Sequence, residues 1–313
     1  MTTVSASGVA ILAYHSVGPS TTAWSRRYAI DPALFDEHVA ALIDARARLV
    51  AVGELPGLLS GGPAEPPRER RQAATADEGS VQPRSDEGAT GQAMTEGPAV
   101  AISIDDGLAD AATGAAPVLA AHCAPATLFV PTAYVGRGAA WMSGVDADRP
   151  MLSWDALGEL AAAGMEIGSH GHLHLAADIN EPELVREDAI RSRAELEEHL
   201  GQTVSSYAYP FGYCTRDAAS AVRDAGFSLA CTVMELPAVA GDDLLRLPRI
   251  YVDPRTTPEM LLRLVQRRPT RAMRRWARAK QQLWHAGRRW AEWGPPEARR
   301  GSHAQLAAND LGA

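Results

Sequence analysis

The feature that most constrains this chain is a repeated alternation. Short apolar runs, each four to nine residues long by inspection of the sequence, are separated by segments with helical spacing. Val9–Val17 reads as a first buried strand. Pro32–Arg46 carries Leu34, Phe35, Val39, Leu42 and Ile43 at helical intervals, with Asp31 as N-cap and Pro32 at the first helical position. Leu49–Val52, Val100–Ile104, Ala126–Pro131, Met165–Ser169, Ser206–Tyr209 and Leu229–Val233 read as further strands. Between them, Ala111–Ala121, Trp154–Ala163, Glu181–Leu200 and Asp217–Ala225 read as helices, the last three ended by Gly164, Gly201 and Gly226. Strands that alternate with helices pair in parallel, because the crossover helix returns the chain to the same end of the sheet. The fold class is therefore α/β, a distorted or incomplete (β/α) barrel with a helical C-terminal tail.

The alternation divides the chain. Residues 1–60 supply the first strand and helix, 99–260 the main core, and 261–313 the tail. The stretch 61–98 is rich in Pro, Gly, Ala, Glu, Asp and Arg and has almost no large apolar residue, so it reads as a disordered insertion. The tail from 261 to 300 holds about a dozen Lys and Arg with Trp276, Trp284, Trp290 and Trp293 interleaved. It fits either a helix whose tryptophans pack on the barrel or another protein, or one lying on an anionic membrane. With a net charge of −8, the molecule as a whole does not look like a nucleic-acid binder.

No apolar run reaches the roughly 20 residues of a membrane-spanning helix. The first apolar stretch, interrupted by Tyr14 and His15, is a strand and not a signal peptide, which gives the expectation of a cytoplasmic protein, peripheral at most to a membrane. The three cysteines, Cys123, Cys214 and Cys231, form no CxxC pair and read as small buried hydrophobes.

In a parallel barrel, reactive groups gather where strands end. Four segments place polar residues there: Tyr14-His15-Ser16, Asp105-Asp106-Gly107, Ser169-His170-Gly171-His172-Leu173-His174 and Tyr209-Pro210-Phe211-Gly212. Adjacent buried carboxylates need a cation or a shared proton; the alternative is an N-cap and Asp-Gly turn. His170 and His174, four apart, face the same way on a helical turn and can hold one metal ion, although His pairs also occur in solvated loops. Asp106, His170 and His174 together would leave coordination positions open, the pattern of a catalytic metal. His172 points elsewhere, to a structural role or the substrate rim. His15, at the mouth, can protonate a leaving amine near neutral pH, or be a satisfied strand-end histidine.

These segments together resemble the polysaccharide deacetylase family, the NodB homology or carbohydrate esterase family 4 group. Its Thr-Phe-Asp-Asp-Gly motif appears as Ser103-Ile104-Asp105-Asp106-Gly107, and its His-(Ser/Thr)-x-x-His motif as His170–His174. Its Ala-Thr-Phe-Phe-Val strand appears as Ala126-Thr127-Leu128-Phe129-Val130, and Glu166-Ile167-Gly168-Ser169 matches the lead-in to the His motif. The resemblance implies a NodB-type barrel and hydrolytic removal of acetyl groups from N-acetylated sugars of GlcNAc type. It implies Asp105 as catalytic base and Asp106, His170 and His174 as ligands of a divalent ion, most often Zn²⁺. A backbone N–H near Phe211 would help stabilise the oxyanion, with Tyr209 in the same substrate-binding segment.

Two departures from the family pattern stand out. Ala208, not Arg, precedes the third motif, and the C-terminal Leu-x-His motif is not visible. The Tyr-His first strand, Tyr209-Pro210-Phe211-Gly212 and Leu247-Pro248-Arg249-Ile250 resemble a permuted subgroup that includes poly-N-acetylglucosamine deacetylases. That subgroup makes His15 the acid and lets Arg249 replace the missing Arg beside Asp105; a structural salt bridge is the other reading of Arg249. O-deacetylation, small-metabolite deacylation and silent glycan binding are the alternative functions.

Overall fold

A computed structural model of the chain describes residues 8–59 and 97–293, and side chains as far as residue 283. In chain order the strands are β1 (Ala10–Tyr14), β2 (Ser16–Val17), β3 (Ala29–Ile30), β4 (Arg48–Val50), β5 (Ala99–Ile104), β6 (Ala126–Val130), β7 (Glu166–Ser169), β8 (Ser206–Ala208), β9 (Leu229–Cys231) and β10 (Ile250–Tyr251). The helices are α1 (Ser25–Tyr28), α2 (Pro32–Asp44), α3 (Leu55–Leu59), α4 (Ala116–Ala121), α5 (Trp154–Ala162), α6 (Pro182–Leu200), α7 (Arg216–Asp224), α8 (Pro258–Val265) and α9 (Arg271–Trp293). The expected capping chemistry is present: the Asp31 carboxylate accepts from the Ala33 N–H, and Gly201 ends α6 in the left-handed region.

The main sheet is parallel throughout, in the order β10-β1-β5-β6-β7-β8-β9. β4 pairs with the first half of β5 (Leu49 opposite Val100), and β6 with its second half (Leu128 opposite Ile104). That shared edge is the distortion in the barrel. The two ends of the sheet meet at residues 247–251, where Leu247 bridges Cys231 and Ile250 pairs with Leu12. The first strand is not continuous: it breaks at His15, and Ser16–Val17 turns away to pair with β3.

Strand residues alternate between two apolar cores. Leu12, Tyr14, Val100, Ile102, Ile104, Leu128, Tyr207 and Tyr209 face outward to the helices. Ile11, Ala101, Phe129, Ala208, Cys231 and Leu247 face the barrel interior, with Val52, Leu55 and Leu59 below. The Glu166 carboxylate closes the lower end: it accepts from the Gly53 N–H (2.8 Å), Thr127 Oγ1 (2.6 Å) and Ser206 Oγ (2.7 Å).

Arg249, on the closing segment, points into this interior and is fully buried. Its Nη1 and Nη2 donate to both carboxylate oxygens of Asp105 at 2.6 and 2.7 Å, Nη1 also to Ser103 Oγ (3.1 Å), and Nε to the Thr232 carbonyl (3.3 Å). It does not line the cavity described below; it lies beside Asp105, where the missing Arg was expected, and forms an ion pair with it.

The disordered-insertion reading falls outside the described residues except at its end. There the Gly97 N–H donates to the Arg46 carbonyl, and the Pro98 carbonyl accepts from the Arg48 N–H. The boundary at 261 falls inside α8, whose Leu261 and Val265 are buried in the outer core. No described helix is long and apolar enough to cross a membrane.

Cys214 and Cys231 are buried as expected, but Cys123 is exposed in the turn after α4. Burial pushes the Cys214 thiol up to about 11 and that of Cys231 to about 12, so both stay protonated and shielded at neutral pH. An aromatic disulfide reagent is expected to label Cys123 rapidly in the native protein, and Cys214 and Cys231 only after unfolding. Fast labelling of either buried thiol would contradict the packing. A second expectation concerns Arg249→Met, which leaves the Asp105 charge buried and uncompensated and should cost about 3–5 kcal/mol in urea unfolding. Adding Asp105→Asn should recover most of that loss, and a double variant no more stable than the single one would contradict the pairing.

Candidate active site

Strand parity decides which side chains enter the upper barrel. His15, Asp105 and His170 continue the inward positions of β1, β5 and β7, and Tyr251 does the same on β10. All four line a cavity of about 600 Å³ with Asp106, His174, Trp24, Tyr28, Trp141, Phe211 and Glu235.

Tyr209 has the opposite parity. It is buried in the outer core, its hydroxyl donates to the Leu245 carbonyl (2.9 Å), and its ring lies edge-on to Tyr207. The expected substrate contact from Tyr209 is therefore replaced by a structural role. Phe211 does reach the cavity, half exposed, with its ring 4.8 Å from that of His174.

The two adjacent carboxylates separate because the backbone turns between them. Asp105 continues the strand, its N–H bonded to the Tyr14 carbonyl (2.9 Å). Asp106 is left-handed at φ 74°, as is Gly107 at φ 62°. Such a conformation is uncommon for a non-glycine residue and swings the Asp106 carboxylate away from Arg249. Burial opposes the charge on Asp105, but the Arg249 guanidinium outweighs it and holds the carboxyl below its usual range.

Asp106 faces two imidazoles. Its Oδ1 lies 3.5 Å from His170 Nε2 and 3.4 Å from His174 Nε2. His170 Nδ1 contacts the Ala208 carbonyl at 2.7 Å. A carbonyl only accepts, so Nδ1 carries a proton there, which leaves Nε2 to serve as a ligand atom. Burial lowers the His174 pKa to about 4, so that ring is neutral. Three ligand atoms within 4.8 Å of one another, a carboxylate oxygen and two imidazole nitrogens, suit a cation. On a tetrahedral ion with bonds of about 2.0–2.2 Å, neighbouring ligand atoms sit roughly 3.3–3.5 Å apart, which matches both distances. The residues therefore fit a divalent metal.

The His segment is not the helical turn expected from its spacing. It is an irregular loop with Gly171 at φ 78° and His174 at φ 55°. Its shape comes from a residue that the spacing argument missed. The Asp188 carboxylate, on the buried face of α6, accepts from the His172 N–H (2.8 Å) and the Leu173 N–H (2.7 Å). A Cβ on Gly171 would lie 2.5 Å from that carboxylate, so only glycine fits there. His172 has the structural role: its Nδ1 is shared between Thr132 Oγ1 (2.8 Å) and Glu195 (3.1 Å). An acid at an inward position of α6, among Val185, Ala189, Ser192 and Leu196, was the available sequence signal for Asp188.

His15 lies across the cavity, its ring 5.1 Å from Tyr28 and 5.6 Å from Tyr251, with its buried Nδ1 unbonded among the described residues. Burial lowers its pKa, while the charges of Asp106 and Asp105 pull the other way. Trp141 stacks on His174 at 4.8 Å and makes a wall that no motif announced. Four of the six non-glycine residues with positive φ, namely Asp106, His174, Phe211 and Glu235, line this one cavity.

Comparison with known proteins agrees with this fold. No curated protein matches the chain significantly. Among solved structures, Streptococcus pyogenes deacetylase PplD in complex with acetate is 22% identical, with a TM-score of 0.64, covering 84% of this chain and 100% of that one. IcaB from Ammonifex degensii is 26% identical, with a TM-score of 0.62 over 83% and 98%. A de-N-acetylase from Aggregatibacter actinomycetemcomitans is 18% identical, with a TM-score of 0.61 over 82% and 99%. All three share the curled parallel barrel of the NodB type. The family profile described as polysaccharide deacetylase matches residues 92–230, the span that carries both the acidic and the histidine motifs. Over that span the chain is similar to the polysaccharide deacetylase family.

Proposed function

We propose that this protein is a metal-dependent hydrolase that removes the N-acetyl group from a GlcNAc-type sugar, in an oligosaccharide, polysaccharide or glycan precursor. The observation that carries this reading is the convergence of Asp106, His170 and His174 beside an Asp105 kept ionised by Arg249. The profile match over residues 92–230 supports the deacetylase chemistry.

Asp106, His170 and His174 would hold the divalent ion, with Zn²⁺ the first choice for a site of nitrogen and carboxylate ligands. When bound, such an ion supplies Lewis acidity, polarising the amide carbonyl and acidifying the attacking water. The remaining work falls to the chain. Asp105, anionic and fixed in orientation by two hydrogen bonds from Arg249, accepts the proton that the water loses. His15, on the opposite wall, delivers a proton to the departing nitrogen, so that a free amine and acetate leave. Burial keeps its ring neutral at rest, and the neighbouring carboxylates favour its cation during turnover. Trp141, Tyr28 and Tyr251 offer aromatic faces to the sugar ring. The backbone around Phe211, turned left-handed beside His174, is the segment proposed to face the oxyanion.

Purified protein supplied with Zn²⁺ is expected to bind the metal and to release acetate from GlcNAc oligomers, with matching appearance of free amine. No bound divalent metal and no acetate from a panel of N-acetylated sugars would sink the proposal. Acetate released without amine would identify O-deacetylation instead. Alanine at Asp106, His170 or His174 should abolish metal binding. Asp105→Asn should lower kcat by about 10²–10⁴-fold with metal content retained, as expected for loss of a general base. Because that change also disturbs the Arg249 pair, His15→Asn provides an independent test and should lower kcat with the fold and metal intact. Glycan binding without turnover, unaffected by either variant, would indicate a silent binding protein.

A further inference from the structure

Over its described side chains, residues 271–283, helix α9 packs by one side only. Met273, Arg274 and Ala277 are half-buried and Gln281 is buried against the body. Arg274 forms an ion pair with Asp242 and donates to the Pro237 carbonyl (3.3 Å); Arg278 lies 3.9 Å from the same Asp242. At 3.6 residues per turn, Ala272, Trp276, Ala279 and Leu283 fall together on the opposite side. All four are exposed, Trp276 by 67% and Leu283 by 76%. The expectation that the tail's tryptophans pack on the barrel therefore does not hold for Trp276.

This apolar stripe is flanked by Arg275 on one edge and Lys280 on the other, with the Lys280 ammonium 5.5 Å from the Trp276 ring. Over its length α9 carries seven Lys and Arg and one acidic residue, in a chain whose net charge is −8. A second stripe that packs on nothing described, edged by cations, is the composition of a helix lying at a membrane surface. Indole at the level of the headgroups and lysine or arginine reaching outward to phosphate are its usual components.

The position of α9 gives the stripe a consequence for the site. Its anchor, Asp242, belongs to the loop that runs from Glu235, on the cavity wall, towards Arg249. Lys280 and Arg267 lie near enough to Glu235 to favour its charge, against the burial that raises its pKa. The Tyr251 backbone also favours the Glu235 charge, and the Tyr251 hydroxyl donates to the Arg27 carbonyl (2.6 Å). Arg26, Arg27 and Arg255 then surround a second hollow that shares Arg27 and Tyr251 with the catalytic cavity. Asp253 also lines that hollow and pairs with Arg255, leaving Arg26 and Arg27 on this side of the mouth.

We propose that α9 docks on an anionic lipid bilayer through Trp276 and Leu283, flanked by Arg275 and Lys280, and holds the catalytic mouth beside the membrane. Electrostatic attraction to anionic headgroups draws the helix in, and the apolar stripe retains it. The proposal is independent of the deacetylase reading, since vesicle binding requires no turnover.

The test is co-sedimentation of the full chain with phosphatidylcholine vesicles, with and without phosphatidylglycerol. Binding is expected only to the anionic vesicles, and it should be largely lost near 1 M salt, where the Debye length falls to about 3 Å. Both Trp276→Ser/Leu283→Ser and Arg275→Glu/Lys280→Glu should weaken binding by at least about tenfold. These side chains are exposed, so unchanged thermal unfolding and unchanged acetate release from a soluble oligomer would accompany the loss. No binding, equal binding to neutral vesicles, or binding indifferent to both variants would overturn the proposal. So would self-association of the chain that the apolar variant abolishes, or capture by RNA in place of vesicles.

Discussion

The ion pair between Arg249 and Asp105 connects the architecture to the chemistry. A guanidinium and a carboxylate buried inside a barrel persist only when their charges cancel and their remaining hydrogen-bonding capacity is met. Both conditions hold: the pair is bidentate, and Arg249 also donates to Ser103 Oγ and the Thr232 carbonyl. Arg249 lies on the segment that joins β9 to β1, and Asp105 ends the central strand β5. The interaction that closes the sheet is therefore the one that fixes the charge and orientation of the acid. Removing it would disturb the barrel and the site together.

Much of this arrangement was legible in the sequence, because strand alternation is a period-2 code. Counting inward from Ala101 and Ser103 places Asp105 in the barrel, and counting from Ile11 and Ala13 places His15 beside it. The same count excludes Tyr209, which follows the outward Tyr207. Its nomination rested on membership of a motif and overlooked its parity. The closing strand β10 was harder to find. It has two residues and no apolar run, so only the Leu247-Pro248-Arg249-Ile250 resemblance pointed to it.

What the pattern could not show is where the backbone leaves regular geometry. The spacing of His170 and His174 suggested a helical turn, yet the two rings converge from a loop with two left-handed residues, pinned by Asp188 from a distant helix. Side-chain spacing constrains an element only after its type is known. The walls contributed by Trp24, Tyr28 and Trp141 lie on excursions outside the strands, where neither period applies. The Glu166 network at the opposite end explains why the barrel opens on one side only, since polar residues there satisfy one another instead of facing solvent.

The adjacent acids show how local backbone geometry divides labour between like residues. Two carboxylates on neighbouring residues repel, and burial raises the cost of either charge. Extended geometry at Asp105 directs one carboxylate to a permanent cation, Arg249. The left-handed turn at Asp106 directs the other to the imidazoles of His170 and His174. His170 Nδ1 is committed to the Ala208 carbonyl, which leaves Nε2 facing Asp106. One acid is thus compensated within the protein, while its neighbour is left with a ligand set that calls for a positive ion. Asp105 is held ionised by its own cation, so the open ligand set belongs to Asp106 alone.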